Sequence, residues 1–196
     1  LKGGGDAKEA LQAVVDSGAE LDWRQLGALD WHGIFSVYHG EKIYSVFDHS
    51  AGRNCLALGN ILDNEHVTEA MRDAFETAKV APLSERLLLA LEAGQNAGGE
   101  IYFPLRSAAL RVTYDNGLDW CDQRVDDGDD PIAALRRIRE NYATWEDLLQ
   151  NLTINPGSKL VDPGQEKASL DRIDERGLAH ALPPQQAIIT GRDRTH

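Results

Sequence analysis

Residues 107–125 read Ser-Ala-Ala-Leu-Arg-Val-Thr-Tyr-Asp-Asn-Gly-Leu-Asp-Trp-Cys-Asp-Gln-Arg-Val. Ala108, Leu110, Val112 and Tyr114 alternate with Ala109, Arg111 and Thr113, the period-2 pattern of a strand with one face covered. Asn116-Gly117 is a strong hairpin turn, because both residues accept positive φ. The return strand then runs over 118–125, and the pair is antiparallel. Upstream stand two helical patterns in succession. One spans about Glu65 to Ala78, capped by Asp63 or Asn64, with Val67, Ala70, Met71, Ala74 and Phe75 on one face. The other follows Pro82, carries Leu83, Leu87, Leu88 and Leu91, and stops at Gly94. Downstream, Asp130-Pro131 opens a further helix through Leu135 and Ile138, continuing towards Trp145 and Leu149. Two consecutive helices between strand pairs suit an α+β layered fold better than a strict βαβ alternation.

Working further outward, Asp6 caps a short helix over Ala7 to Val15, which Ser17-Gly18 ends. Gln25–Asp30 and Gly33–Tyr38 read as a hairpin turning at His32-Gly33. Lys42–Phe47 reads as a third strand after His39-Gly40. Asp48–Arg53 reads as polar loop, and Cys55–Leu58 as a short strand. Beyond Asn155-Pro156-Gly157 apolar residues thin out and Pro163-Gly164 and Pro183-Pro184 interrupt the pattern. The expected organisation is one domain over 1–155 and a peripheral tail over 156–196.

The 196 residues carry 42% hydrophobic and 27% charged residues, enough for a sizeable core. The net charge of −12 repels phosphate backbones and anionic lipid, so neither nucleic acid nor a membrane surface is an expected partner. No run is long and apolar enough to span a bilayer. Two cysteines, Cys55 and Cys121, make no disulfide framework and read as reduced small hydrophobes. A cytoplasmic location is the expectation that follows.

The chemistry-bearing residues are scattered. His32, His39 and His49 flank the early strands, and Asp48 adjoins them, but no pair has the spacing of a zinc motif, so no metal or cofactor is expected. Asp126, Asp127, Asp129 and Asp130 surround Gly128 without matching a calcium loop. They read as a solvated loop whose last aspartate caps the Pro131 helix, with Arg124 beside them as an ion-pair partner. The glycine-rich run 93–100 follows a helix and lacks the Lys-Ser/Thr pair of a phosphate-binding loop. Gln95, Asn96 and Glu100 within it are candidates for the side of a substrate. Asn60 either donates its amide to an oxyanion or caps a turn. Spacing alone names no nucleophile.

Several segments together resemble the DUF1028 family. They are Arg24-Gln-Leu-Gly27 with Asp30 and Gly33; Gly59-Asn-Ile-Leu62; Val67 through Ala70-Met71 to Ala74-Phe75; Leu83-Ser-Glu-Arg-Leu87 to Gly94; Ala97-Gly-Gly-Glu100; Ser107 to Leu110; and Arg124-Val-Asp-Asp127 leading to Asp130-Pro-Ile132. The resemblance implies an Ntn-hydrolase-like layered sandwich, antiparallel sheets between helices, and grouping with hydrolases of amide bonds whose substrate is not established. In Ntn enzymes an N-terminal Ser, Thr or Cys attacks the carbonyl, its own α-amine, of pKa about 8, serving as base. The resemblance also implies that the family's first strands and its nucleophile precede Leu1, so the domain is expected to be N-terminally incomplete. In this reading Asn60 is the oxyanion donor, and Arg24, Glu100 and Asp126 orient substrate or amine. The expected partners are a small amide substrate and either a second copy of the chain or a companion N-terminal fragment. The alternative is a non-catalytic interaction or assembly module, with the run Ile101-Tyr-Phe-Pro-Leu105 as its contact.

Overall fold

In a computed structural model the described residues are 5–18, 20–101, 104–114, 117 and 119–143. The anticipated helix around Trp145 and Leu149, and the tail over 156–196, lie outside them. Residues 1–136 form one compact unit, and 137–196 a second whose described part is the end of a helix.

The fold is α+β, with small antiparallel sheets and four helices among the described residues. Helix α1 (Ala7–Asp16) begins at Asp6, whose carboxylate accepts the Glu9 N–H at 2.8 Å. Strands β1 (Gln25–Leu29) and β2 (Phe35–His39) form the expected hairpin. The buried Asp30 shapes its turn, its Oδ1 accepting N–H groups of His32 and Ile34, both at 2.9 Å. Burial works to raise the Asp30 pKa, but these backbone donors outweigh it and hold the carboxyl below its ordinary value.

The next hairpin departs from expectation. Strand β3 is Phe47–Gly52, not Lys42–Phe47, and it pairs with β4 (Cys55–Asn60). The anticipated polar loop is therefore strand. The apolar run 42–47 is mostly approach, with Tyr44 81% exposed. A two-residue turn, Arg53-Asn54, decides the register, because Asn54 takes φ 58°. Pairing and cover on both faces then override the low strand preference of Asp48, His49, Ser50 and Gly52.

Helices α2 (Val67–Thr77) and α3 (Leu83–Asn96) pack on each other. Asn64 lies short of the cap position and instead accepts the His66 N–H at 2.8 Å. Gly94 does not stop α3. It is buried inside the helix, where a β-carbon would come within 2.8 Å of Met71 Cγ, so its role is close helix approach. The stop falls to Gly98 and Gly99, at φ 129° and 60°.

Strands β5 (Ala108–Thr113) and β6 (Asp119–Val125) form the last hairpin. Asn116 lies outside the described residues; Gly117 takes φ 81° and donates to the Tyr114 carbonyl at 2.9 Å. Helix α4 (Pro131–Ala143) opens as expected, with Asp130 accepting the Ala133 N–H at 3.1 Å. No disulfide joins Cys55 and Cys121. No described helix is long and apolar enough to cross a membrane.

Helix α1 packs on β1 and β2, β1 meets β4, and α2 packs on β3 and β4. The faces follow from alternation. Gln25, Gly27 and Leu29 share a face with Phe35, Val37 and His39, and it meets Leu56 and Leu58 of β4. The driest core lies elsewhere, where Leu88, Leu110, Cys121, Ile132 and Leu135 cluster between α3, α4 and the last hairpin. Leu88 and Leu135 are completely buried, each contributing about 1.5–3 kcal/mol. Arg136 flanks this core, reaching Glu92 and, at 3.1 Å, Glu85. Hydrogen bonding to Glu92 raises its pKa most, against the cost of burial.

Candidate functional site

The clearest polar corner is where β4 ends. Asn60 Nδ2 donates to Gln25 Oε1 at 3.1 Å. Gln25 Nε2 in turn donates to the carbonyls of Asp48 and Gly59, at 3.0 and 2.9 Å, joining β1 to both strands of the next hairpin. The following residue, Ile61, takes φ 58°, a strained value for a β-branched side chain. The corner is held by the Ile61 N–H donating to Ser45 Oγ at 3.0 Å, and the Ile61 carbonyl accepting the Ile101 N–H at 3.1 Å. Leu62 then bridges Glu100, while the Asp63 N–H donates to the Gly99 carbonyl. The glycine-rich run is thereby drawn against the end of β4. Close packing requires it, because a β-carbon on Gly98 would come within 2.8 Å of Asp63.

These contacts frame a cavity of 270 Å³ whose lining includes Gln25, Asn60, Gln95, Gly99 and Glu100, over an apolar floor of Leu58, Leu62, Val67 and Met71. Two of the four expected site residues, Asn60 and Glu100, therefore share one cavity. Arg24 and Asp126 are exposed and do not line it. Asp126 pairs instead with Arg124 at 3.1 Å. Asp127 and Asp129 pair with Arg106. Gln25 was missed in the sequence, although it stands in the family-like Arg24–Gly27 segment. An uncharged glutamine on a strand gives no signal until its three partners are known.

The seam between the first two hairpins holds a second cluster. His39 Nε2 and His49 Nδ1 lie 3.3 Å apart, one ring from β2 and one from β3. Phe47 stacks obliquely on His39 with centroids 4.8 Å apart. Burial pushes the His39 pKa down, and the neighbouring His49 adds to that, against a smaller opposing pull from Asp48. Asp48 itself faces α2, accepting from Thr68 Oγ1 at 3.1 Å, with Ser50 Oγ also 3.1 Å from Thr68. The strand alternation thus separates Asp48 from the histidines it adjoins in sequence. Among the described residues no three His, Cys, Asp or Glu side chains converge as a metal site.

A larger cavity of 420 Å³ lies between β4 and β5, walled by Leu56, Ala57, Ala109 and Leu110 and floored by Met71, Phe75, Leu83 and Leu87. Met71 and Leu91 line both cavities.

The fold and this corner define an α+β protein with a polar cavity at a sheet end. The model of a family of unknown function, DUF1028, matches residues 1–135, and the chain belongs to that family. It is similar to the crystal structure of protein SPO2555 from Silicibacter pomeroyi, described under the same family model. The TM-score is 0.66 at 28% identity, over 76% of this chain and 65% of that one. The chain thus spans about two thirds of the length of that relative. No curated protein matches it.

Proposed function

We propose that the complete protein is an Ntn-type amidohydrolase of unassigned substrate, and that these residues supply the later part of its domain. The succession α1, β1–β2, β3–β4, α2–α3 supports the layered sandwich that such a fold requires. The observation that carries the functional reading is the Asn60–Ile61 corner. An amide is pinned by Gln25 beside a strained β-branched residue, at the rim of a cavity. Asn60 Nδ2 has two hydrogens, and Gln25 takes one. The other donates to the oxyanion formed when an N-terminal Ser, Thr or Cys attacks an amide carbonyl. Glu100 contacts the substrate at the rim. Arg24 and Asp126, outside the lining, engage only a substrate that extends beyond it. The domain in this reading runs to residue 155, with 156–196 as tail.

The test is intact mass and N-terminal sequencing of the protein from its native source, followed by turnover of an amide panel. Asn60→Ala is expected to lower kcat about 10²–10³-fold with little change in KM. Full activity in that variant, or the absence of any Ser, Thr or Cys at a mature N-terminus, would falsify the reading.

The second reading is a non-catalytic assembly module. It is favoured by the aromatic surface around the first hairpin, with Trp31 89% and Trp23 58% exposed. Tyr102 and Phe103, from the run first considered for this role, lie outside the described residues. A stable oligomer with no hydrolase activity, seen by light scattering, supports it; an active monomer removes it.

A further inference from the structure

We infer that the polar cavity at the end of β4 takes a small amide that also carries an ammonium group, with Glu100 as its counter-ion. Among the described residues that line the cavity, Glu100 is the only ionisable one. Its carboxylate has no ion pair or hydrogen bond among the described residues, and neither has the side-chain amide of Gln95. An ionised acid without a protein cation is a place for a ligand cation. The rest of the lining says what accompanies that charge. Gln95 can both donate and accept, and Asn60 keeps one Nδ2 hydrogen, so an amide group in the ligand finds both kinds of partner. The floor is aliphatic, which suits a short methylene chain between amide and ammonium. At 270 Å³ the space falls below the ~300–1,000 Å³ of drug-sized sites, so the ligand is small. Anions are turned away twice. A carboxylate or phosphate would meet no lysine, arginine or histidine in this lining and would share the cavity with Glu100. The net charge of −12 adds a field that draws cations and repels anions at a distance.

The amide part rests on the hydrolase reading, and the charge on the cavity lining alone. Three matched amides test it on the complete protein: 4-aminobutanamide, which is cationic, pentanamide, which is neutral, and succinamate, which is anionic. Calorimetry at low salt should rank them in that order, each step about 2- to 5-fold in Kd, the size of a solvent-screened ion pair. Added salt should compress the series. Glu100→Gln should bring the first two amides within about 2-fold of each other. Glu100→Lys should place succinamate first, in a protein whose circular dichroism is unchanged. The inference is overturned if none of the three binds, or if the anion binds as tightly as the cation. It is equally overturned if salt leaves the ranking untouched, or if the ranking survives in Glu100→Gln, which assigns it to the net charge alone. Ammonia release from the same amides is read separately. Binding in the expected order without release leaves the inference standing and counts against the hydrolase; release without a cation preference does the reverse.

Discussion

The seam between the first two hairpins and the core beneath the last one are built from the same chain on opposite terms. Beneath β5 and β6, Leu88, Leu110, Ile132 and Leu135 exclude water and carry no titratable group except the Cys121 thiol. In the seam, Gln25, His39 and His49 stand among Leu56, Leu58, Phe35 and Phe47. Dry packing gives a large stabilisation that pH does not modulate. A polar seam gives less, makes it conditional on protonation, and places hydrogen-bonding groups beside a cavity.

The contrast can be broken from the dry side first. Leu135→Ala is expected to cost about 2–5 kcal/mol in urea unfolding, nearly constant with pH, because it leaves an apolar void. A cost under about 1 kcal/mol would show that the cluster is not the stabilising centre. Gly40→Ala attacks the seam's rim. Its new β-carbon would lie 2.2 Å from the Asp22 carbonyl oxygen and 2.4 Å from that of Leu21. Backbone cannot swing aside as a side-chain end can, so a loss of about 1–3 kcal/mol is expected from the shift in thermal midpoint. The smallest effect is the seam's own pH dependence. His39 has a folded pKa below its unfolded value. Its contribution is therefore present above the unfolded pKa of about 6.5 and lost as pH falls through the lower folded value. Urea midpoints should drop as pH falls below the unfolded value of about 6.5 and level off only below the lower folded one, and His39→Phe should flatten that slope. An unchanged slope in the variant would assign the titration to another group.

Much of the scaffold was legible because periodicity and punctuation agreed. The two central helices, the first and last hairpins, and the Asp6 and Asp130 caps all followed from alternation, spacing and cap residues. The second hairpin was misplaced because its signal lies in the turn. Arg53-Asn54 is a weaker turn dipeptide than Asn116-Gly117, and Asp48 to Gly52 is polar enough to pass for loop. Gly94 was read as a helix stop because a sequence does not reveal Met71 pressing on it from another helix. At the site, Asn60 and Glu100 are separated by 40 positions, and the Leu62–Glu100 bridge with the hydrogen bonds on either side of it brings them together. Gln25 and the His39–His49 pair depend on sheet stacking, which alternation along one strand does not specify.

Met71 is the single methionine of the chain, and its side chain forms wall for both cavities while resting on Gly94. A protein labelled with ¹³C at the methionine methyl therefore yields one resonance from these 196 residues, with no assignment problem. That lone signal sits where a ligand in either cavity would alter the packing around it. The molecule thus carries a built-in spectroscopic probe of occupancy on both sides of one side chain.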